Sequence, residues 1–432
     1  MNQQMNSAAL FELAQQVMPG GVNSLYRKPL TPVVIKRAKG AHLWDVEGRE
    51  YLDYVGVMGA SLLGHCHDAL NENVFAALQE LDMAGVGNSL YEIRLAEKLR
   101  QHVPSCEMSI LLVTGSEATY HAIRLSRALT GKTDVIRMDG SYHGWHDYVL
   151  APAIGWNTGT MGGALADACK HTLTVQMNDM DALADKVKKS GNNVAAIFIE
   201  TLMHNAGYIP PQPGYLEDLR SFCTAQGIIL VFDEIITGFR HHLGGFQAIC
   251  GVTPDLSTVG KAMGNGYAVS ALCGRRDLML HFNTVPGGDV SIGGTFNGQV
   301  SACAAALTTI GLLEDGKIYA HIYRLGDRLR DGINAITERM GIDAFATGYG
   351  SVWVLYFMKP RTVRNYLDVS GPDYNVKAEL RFRQLMVERG CWVFPVLRKR
   401  GYISAAHSIE DIDRTLGIVE DVFKQLRQEQ LV

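Results

Sequence analysis

Short apolar segments alternate with amphipathic segments through the middle of the chain. The apolar segments predict strands, and they are Met108–Val113, Val135–Met138, Val194–Ile199, Ile228–Phe232 and Val269–Cys273. Helical periodicity between them, as in Ala118–Leu129 and Gly214–Gln226, predicts helices. Apolar strands that alternate with helices indicate an α/β fold with a mostly parallel sheet covered on both faces. Ligands of such sheets bind at the carboxyl ends of the strands.

The two ends of the chain have a different pattern. Ala41–Tyr54 predicts a hairpin that turns at Glu47 and Gly48. Ser408 and Asp411 form a capping-box pair that predicts the start of a long C-terminal helix. The apolar stripe predicted for this helix is Ile409, Ile412, Leu416, Val419, Phe423 and Leu426.

These patterns predict a large central domain and a smaller α+β domain built from both termini. We expect residues 1–60 to form an N-terminal arm and part of the small domain. Residues 61–319 would form the large domain, and residues 320–432 the C-terminal part of the small one.

The composition narrows the class of protein. Of the 432 residues, 47% are hydrophobic and 19% charged, a balance that excludes a disordered chain. Lys and Arg number 40 against 44 Asp and Glu, which argues against a nucleic-acid or membrane-surface partner. The eight cysteines form no CxxC pair and indicate reduced thiols. With no signal-peptide pattern and no apolar run of about 18 residues, we expect a cytoplasmic protein.

The first segment with candidate chemistry follows an apolar strand at Thr114, Gly115 and Ser116. A helix that starts directly after a strand offers free backbone N–H groups and the positive end of its dipole to an anion. The alternative interpretation is an ordinary capped helix start with Ser116 as the cap.

A second segment, Ser141–Asp147, places Tyr142 beside two histidines, His143 and His146. Taken alone, these histidines are more typical of structural side chains with satisfied hydrogen bonds. They could also bind a metal, but no carboxylate or cysteine pattern completes such a site, and we expect none.

Asp233 and Glu234 end a fully apolar strand, so a carboxylate is expected at the ligand-binding edge of the sheet. Such a carboxylate can hold a protonated heterocyclic nitrogen through a charge-assisted hydrogen bond. The alternative is a solvated helix cap.

Lys261 lies in an apolar, small-residue segment between glycines. A desolvated lysine has a lowered pKa and becomes a nucleophilic amine, although most lysines are simply solvated. The order along the chain favours the chemical role for Lys261, because an anion-binding turn, an aromatic residue, a carboxylate and this lysine each follow a predicted strand.

Over nearly its whole length the sequence resembles the class III, fold type I, pyridoxal-phosphate (PLP) aminotransferases, and within them the glutamate-1-semialdehyde aminomutase branch. The segments that carry the resemblance are GGVNSLYR at 20–27, WDVEGREYLDYVG at 44–56, LLGHCH at 62–67, TGSEATYHAIRLSRALTG at 114–131, YHGWHD at 142–147, FDEIITGFR at 232–240, PDLSTVGKAMGNG at 254–266 and GGTFNGQ at 293–299.

The resemblance implies a role for each candidate residue around the cofactor. Lys261 would form the Schiff base with PLP and later move the substrate's Cα proton, and Asp233 would pair with the pyridinium nitrogen. Gly115 and Ser116 would hold the phosphate, and Tyr142 would stack on the ring.

The resemblance also implies a partner and a substrate contact. Thr295 would reach the phosphate of the neighbouring subunit's cofactor, which implies a homodimer with shared active sites. Arg27 would lie near the anionic group of the substrate.

Three departures from the family pattern concern the substrate. Lys399 stands where aminomutases of this branch carry an acidic residue, in Pro395–Ser404. Thr201 and Leu202 follow Glu200 where the usual sequence is Glu-Pro-Val or Glu-Pro-Ile. Asn205 stands where many class III aminotransferases have a glutamate that neutralises a switching arginine.

Arg398, Lys399 and Arg400 therefore form a basic triplet without an evident acidic switch partner. One interpretation is a solvated loop. The other is a cationic pocket that, with Arg27, binds a carboxylate, phosphate or phosphonate. Ala151–Lys170, rich in Gly, Ala and Thr, could form a mobile lid over it.

These observations favour a PLP-dependent aminotransferase acting on a small amine that bears an anionic group. The alternative is a PLP-dependent lyase or aminomutase acting on a phosphorylated or phosphonylated amine, because cofactor motifs do not distinguish these reactions. A third alternative is a cofactor-free binding protein that kept the fold, against which the complete set of cofactor residues argues.

Overall fold

The computed structural model describes residues 5–150 and 162–432, and it contains two compact units. The terminal unit consists of Met1–Asp68, Lys317–Thr362 and Gly371–Val432, and the central unit of Ala69–Gly316 and Val363–Ser370. The domain division expected at residues 60 and 319 stays a prediction of the sequence.

The strands of both units are numbered here in chain order. They are β1 Ile35–Lys39, β2 His42–Asp45, β3 Glu50–Asp53, β4 Met108–Leu112, β5 Asp134–Met138, β6 Thr172–Val175, β7 Val194–Ile199, β8 Ile229–Glu234, β9 Leu256–Val259, β10 Ser270–Gly274, β11 Phe345–Thr347, β12 Val352–Tyr356, β13 Cys391–Trp392 and β14 Gly401–Tyr402.

The helices are referred to by their residues. They are Ser7–Val17, Asp68–Glu80, Leu90–His102, Gly115–Thr130, Ala166–Cys169, Met180–Lys189, Tyr215–Gln226, Gly245–Cys250, Arg276–Met279, Val300–Leu313, Lys317–Met340, Leu367–Ser370, Val376–Glu388 and Ile409–Gln428.

The central unit contains a seven-stranded sheet in the order β4-β10-β9-β8-β7-β5-β6. Neighbouring strands run parallel except at β10, which is antiparallel to both β4 and β9. The predicted mostly parallel sheet is therefore confirmed. All five predicted strands are present, and β6 and β9 are two more that the apolar pattern did not single out.

The core of the central unit lies between this sheet and its helices. Every residue of β7 is buried, as expected for a strand covered on both faces. Helix Gly115–Thr130 packs its small and branched side chains, among them Ala118, Ala122 and Ile123, into the same apolar cluster as Phe198 and Val231. This packing fixes the start of the helix at the carboxyl end of β4.

The terminal unit contains two smaller sheets, β1-β2-β3-β13 and β11-β12-β14. The predicted hairpin is confirmed, since β2 and β3 pair antiparallel across a turn in which Gly48 has φ +85°. Glycine adopts this conformation without the penalty that other residues incur. Asp45 fastens the turn by accepting the backbone N–H groups of Glu47 and Arg49.

The C-terminal helix begins as predicted, with a reciprocal capping box between Ser408 and Asp411. The buried side chains of its stripe are Ile412, Val419, Phe423 and Leu426. Leu416 is half-buried and Ile409 is 39% exposed, so the predicted stripe is buried only in part. Among the described residues, no helix combines the length and the apolar character needed to cross a membrane.

Candidate active site

The start of helix Gly115–Thr130 provides an anion-binding end. Thr114 is the cap: its hydroxyl accepts the Glu117 N–H at 3.3 Å, and the Glu117 carboxylate accepts the Thr114 N–H at 2.8 Å. Gly115 and Ser116 thus contribute the first N–H groups of the helix, which have no carbonyl partner within it. Thr114, and not Ser116, is the cap, so the Ser116 hydroxyl is not needed for that purpose.

Asp233 ends β8 as a buried carboxylate with three donors. Its Oδ1 accepts the Thr258 hydroxyl at 3.0 Å and the Ile235 N–H at 3.1 Å. Its Oδ2 lies 2.6 Å from His143 Nδ1, whose N–H donates to it. A carboxylate offers about four acceptor positions, so Oδ2 retains one for a further N–H donor.

Glu234 has a different environment, because successive side chains of a strand point to opposite faces. Its fully buried carboxylate accepts the backbone N–H groups of Phe246 at 2.8 Å and Gln247 at 2.9 Å, and also the Thr237 hydroxyl. Burial raises the pKa of Glu234. The solvated-cap interpretation of the Asp-Glu pair is therefore wrong: Asp233 is 5% exposed and Glu234 0%.

The loop after β5 brings Tyr142 and His143 to Asp233. Burial raises the pKa of Tyr142, and the negative charge of Asp233 adds to this increase. The Tyr142 backbone N–H donates to Glu200 Oε1 at 2.8 Å, which ties the loop to the end of β7. The hydrogen bond of His143 Nδ1 is satisfied by Asp233, as expected for a structural histidine. The same contact places His143 in the site.

His146 lies behind this loop and does not reach Asp233 in any described contact. Its Nε2 is 3.1 Å from the Thr119 hydroxyl, and burial lowers its pKa to about 4. The described residues contain no group of three or more side chains suited to a metal ion.

Lys261 begins a short turn, Lys261–Gly264, directly after β9 and Gly260. Its φ of +43° lies in the left-handed region, which costs a residue other than glycine about 1–2 kcal/mol. Strained backbone of this kind persists where the surrounding structure over-determines it, and it clusters at functional sites.

Two contacts join the lysine turn, the helix start and the Tyr142 loop. A Cβ added to Gly115 would lie 3.0 Å from Ile235 Cδ1, and one added to Gly260 would lie 3.2 Å from the same atom. A Cβ added to Gly144 would lie 2.8 Å from the Ser116 hydroxyl. The segments carrying Gly115, Ser116, Tyr142, Asp233 and Lys261 are therefore contiguous.

All five of these residues lie at or just beyond the carboxyl ends of strands of one sheet, as the sequence predicted. The strands are β4, β5, β8 and β9, which run in the same direction because β10 is antiparallel to both its neighbours. The order of the predicted residues along the sequence thus corresponds to their placement at one edge of the sheet.

The remaining predicted residue of the cofactor set, Thr295, lies in an exposed turn of the central unit, beside Phe296, which is 60% exposed. Within the described chain its side chain makes no hydrogen bond to the other site residues.

The basic triplet belongs to the terminal unit, and its members differ. The Arg398 guanidinium lies 4.5 Å from the Tyr374 ring centre, and that of Arg400 lies 5.3 Å from the Tyr402 ring centre. Arg400 is only 4% exposed, so the solvated-loop interpretation is wrong for it. The Lys399 ammonium lies 5.1 Å from the centre of the Tyr26 ring.

Arg27, the neighbour of Tyr26, is exposed at a cavity in the same unit. Among the residues that the structure describes, none forms an ion pair or hydrogen bond with its guanidinium. The lid predicted at Ala151–Lys170 falls largely on residues 151–161, which lie outside the described residues.

The family model for class III aminotransferases matches residues 25–421. The chain belongs to the class III aminotransferase family. An omega-transaminase from Sphaerobacter thermophilus is 28% identical, with 98% of each chain covered and a TM-score of 0.89. The FumI protein of Sphingopyxis sp. MTA144, solved as its PLP internal aldimine, is 26% identical over 98% of this chain and 97% of its own, with a TM-score of 0.85.

Glutamate-1-semialdehyde aminomutase from Pseudomonas aeruginosa PAO1 shares the fold at 21% identity, covering 97% of this chain and 94% of its own, with a TM-score of 0.86. Fold type I is therefore confirmed for this class III aminotransferase-family chain, and the family makes it a PLP enzyme.

The side chains fit the cofactor of the class III aminotransferases. The fourth acceptor position of Asp233 suits a protonated ring nitrogen, the N–H groups of Gly115 and Ser116 suit a phosphate, and the Lys261 amine suits an aldehyde. When bound, PLP supplies an electron sink. In the bound state Asp233 would keep the ring nitrogen protonated, and Lys261 would hold or move a proton at its Nζ.

Asn205, which stands where the sequence comparison expected an acidic residue, bonds to Glu200. Its side-chain amide donates to Glu200 Oε1 at 2.8 Å, and its backbone N–H donates to Glu200 Oε2 at 3.2 Å. The position thus holds the loop after β7 in place and adds no carboxylate.

Proposed function

We propose that this enzyme is a PLP-dependent aminotransferase acting on a small amine that carries a carboxylate, phosphate or phosphonate. The observation that supports PLP-dependent chemistry is the assembly at one sheet edge of a strained Lys261, a three-donor Asp233 and a free helix start. The 28% identity to an omega-transaminase supports transfer of an amino group in preference to the other reactions of this cofactor.

The proposed anion site consists of Arg27 and the basic triplet Arg398, Lys399 and Arg400. Arg27 supports it most directly, because its guanidinium is unpaired among the described residues. Lys399 adds a second positive charge beside Tyr26. Arg398 and Arg400 stack on aromatic rings, and we assign them the task of holding this segment in place.

A lyase or aminomutase acting on a phosphorylated or phosphonylated amine is the second candidate. The observation in its favour is Asn205, since an aminotransferase that uses a dicarboxylate donor must neutralise its switching arginine. Neither a lyase nor an aminomutase needs such a donor.

The deciding experiment measures mass balance with the purified holoenzyme. Candidate amines are added with and without a keto acid, and the cofactor spectrum and released ammonia or phosphate are followed. An aminotransferase converts its cofactor to the amine form once and then needs a keto acid. Sustained turnover of one amine without a keto acid would contradict the proposal, and a neutral amine as the best substrate would contradict the anion site.

We also propose a homodimer in which Thr295 reaches the partner's cofactor phosphate. The exposure of Thr295 and Phe296 on the isolated chain supports this assignment. Thr295→Ala should weaken cofactor retention in the dimer, whereas Thr284→Ala, at another exposed threonine, should not. A monomer that keeps full cofactor affinity would contradict the shared site.

We also propose a cytoplasmic location, which the absence of CxxC pairs among the cysteines supports.

A further inference from the structure

The Thr119 hydroxyl is buried one turn into helix Gly115–Thr130 and contacts three groups at once. Thr119 is 1% exposed. Its Oγ1 lies 2.5 Å from the His143 carbonyl oxygen, 3.1 Å from the Ser116 carbonyl oxygen and 3.1 Å from His146 Nε2. The hydroxyl therefore joins the start of the helix to two places in the loop after β5.

The positions of the protons follow from what each group can donate. A carbonyl oxygen only accepts, and a hydroxyl has one proton to donate. The shorter contact favours the His143 carbonyl as the acceptor, so the Thr119 oxygen accepts the N–H of His146 Nε2. Burial lowers the pKa of His146 to about 4, so its ring is neutral near pH 7 and its Nδ1 carries no proton. In agreement, Nδ1 is buried without a hydrogen-bond partner in the described chain.

His143 extends this line of contacts to the carboxylate at the end of β8. Its backbone carbonyl accepts the Thr119 hydroxyl, and its ring N–H donates from Nδ1 to Asp233 Oδ2 at 2.6 Å. Thr119 is therefore bonded to the backbone of Ser116, which we assign to the cofactor phosphate. It is also one residue removed from Asp233, which we assign to the ring nitrogen.

The other side of the loop is fastened independently of Thr119. The Tyr142 N–H donates to Glu200 Oε1 at 2.8 Å, and Glu200 is itself buried. Loss of the Thr119 hydroxyl would therefore release His143 on the side of the helix only. We expect such a loss to shift the loop and the His143 ring without unfolding them.

Buried threonines within helices commonly bond only to their own helix, and Thr309 is an example. Thr309 is 0% exposed, and its hydroxyl donates to the Ala305 carbonyl at 2.8 Å within helix Val300–Leu313. Thr119 has a similar local contact to Ser116, but its two other contacts are to residues 24 and 27 positions away along the chain. The two threonines thus differ in whether the hydroxyl reaches a second segment.

We propose that Thr119 is a positioning residue of the cofactor site. Its hydroxyl fixes the Asp233 carboxylate, through His143, relative to the phosphate-binding start of the helix. This proposal rests on the proposed roles of Ser116 and Asp233 toward PLP, and it adds a group that acts through His143.

Thr119→Val tests this role, because valine keeps the branched shape and replaces only the hydroxyl with a methyl group. The His143 carbonyl would lose its donor, and His146 Nε2 would lose its acceptor. The dissociation constant for PLP, measured by dialysis of the holoenzyme against graded PLP concentrations, should rise about tenfold or more. At saturating PLP, kcat should fall about tenfold.

The visible absorption band of the bound cofactor is a readout that a loss of stability alone would not move. The pH at which this band changes should shift in Thr119→Val, because a displaced Asp233 carboxylate interacts differently with the ring nitrogen. Thr119→Ser retains the hydroxyl and should restore both the PLP affinity and the band. Thr309→Val, which removes an equally buried hydroxyl, should change neither.

The proposal is overturned if Thr119→Val leaves both the PLP affinity and the band unchanged. It is also overturned if Thr119→Ser does not restore them, or if Thr309→Val causes equal losses. Should Thr119→Val not yield folded protein, Thr119→Ala is measured against the same criteria, since its smaller side chain leaves room for the loop to shift.

Asp233→Asn separates this proposal from the assignments on which it rests. If Asp233→Asn loses turnover while Thr119→Val has no effect, only the positioning role of Thr119 fails. If Asp233→Asn retains near wild-type turnover, the assigned role of the carboxylate fails, and the positioning role fails with it.

Discussion

Lys261 is the side chain whose loss should be felt most, because nothing else in the described site offers a nucleophilic amine beside β9. Lys261→Ala should abolish the visible absorption band of the lysine-bound cofactor and reduce turnover by about a hundredfold to ten-thousandfold. The far-ultraviolet circular dichroism should not change, because the substitution shortens one side chain and leaves the secondary structure in place. Lys188→Ala, on an exposed helix face, is the control. An unchanged band in Lys261→Ala would refute the assignment.

Asp233 and Glu234 form a matched pair of buried carboxylates for separating chemistry from stability. Asp233→Asn should retain cofactor but lose most turnover, because a neutral amide does not stabilise a protonated ring nitrogen. Glu234→Gln should lower the free energy of unfolding by about 1–3 kcal/mol and leave the turnover of the folded holoenzyme near wild type. Near wild-type turnover of Asp233→Asn would show that Asp233 only supports the fold.

We expect His143 to be a positioning residue for Asp233, because its Nδ1 N–H donates to the carboxylate. His143→Phe keeps the ring volume against Phe198 but removes the N–H donor. We expect kcat to fall by about tenfold to a hundredfold, the usual effect of losing such a supporting contact. The acidic limb of the pH–rate profile should shift as well, which a purely structural change would not cause. An unshifted profile would contradict the role.

The start of helix Gly115–Thr130 packs against the Tyr142 loop at Gly144. A change that displaces one of these two elements should therefore displace the other. Gly144 has φ +123° and leaves no room for a Cβ beside Ser116. Gly144→Ala should displace the Ser116 hydroxyl and raise the dissociation constant for PLP by about tenfold or more. Gly131→Ala, at the open C-terminal end of the same helix, should cost stability but not cofactor affinity. Equal cofactor affinity in both variants would contradict the account.

Local rules predicted most elements of the fold, and contacts between distant segments account for the rest. The hairpin and the C-terminal cap follow from residues within a few positions of one another. Strands β6 and β9 were not singled out, because they are four residues long and contain Thr or Ser at half their positions. Pairing with distant segments makes them strands: β9 lies between β8 and β10, and the edge strand β6 pairs with β5.

Some features of the site were likewise predictable from the sequence, and others depend on contacts between distant residues. The order of Gly115, Asp233 and Lys261 along the sequence predicted that they meet at one sheet edge, because each lies at or after the end of a strand. The bond between His143 and Asp233 joins residues 90 positions apart, and no spacing rule pairs them. The burial of Arg400 likewise depends on the Tyr402 and Phe394 rings, which a charge pattern does not reveal.

Each unit contains a histidine whose pKa burial lowers to about 4, and these histidines should make the protein less stable in acid. Burial lowers the pKa of His146 in the central unit and of His407 in the terminal unit to about 4 each. In the unfolded chain both titrate near 6.5, so between about pH 6.5 and 4 the unfolded state binds more protons. The free energy of unfolding should therefore fall as the pH falls through that window, by about 3 kcal/mol per histidine at most.

Urea denaturation at several pH values between 7 and 4.5 measures this slope. His407→Asn, which keeps an acceptor for the Ser404 N–H, should flatten it. His281→Asn, at an exposed histidine, should leave it unchanged. A slope that His407→Asn does not alter would show that other groups govern the acid sensitivity.

Ile235 lies beside both the helix start and the lysine turn, since a Cβ added to Gly115 or to Gly260 would come within 3.2 Å of its Cδ1 atom. The Ile235 side chain therefore occupies space that a side chain at either position would need. A larger side chain at position 115 or 260 should be tolerated only if the side chain at position 235 becomes smaller. Each such substitution should change both the proposed phosphate site and the position of the Lys261 amine. Substitutions at positions 115, 235 and 260 should therefore be tolerated in combination and not one at a time.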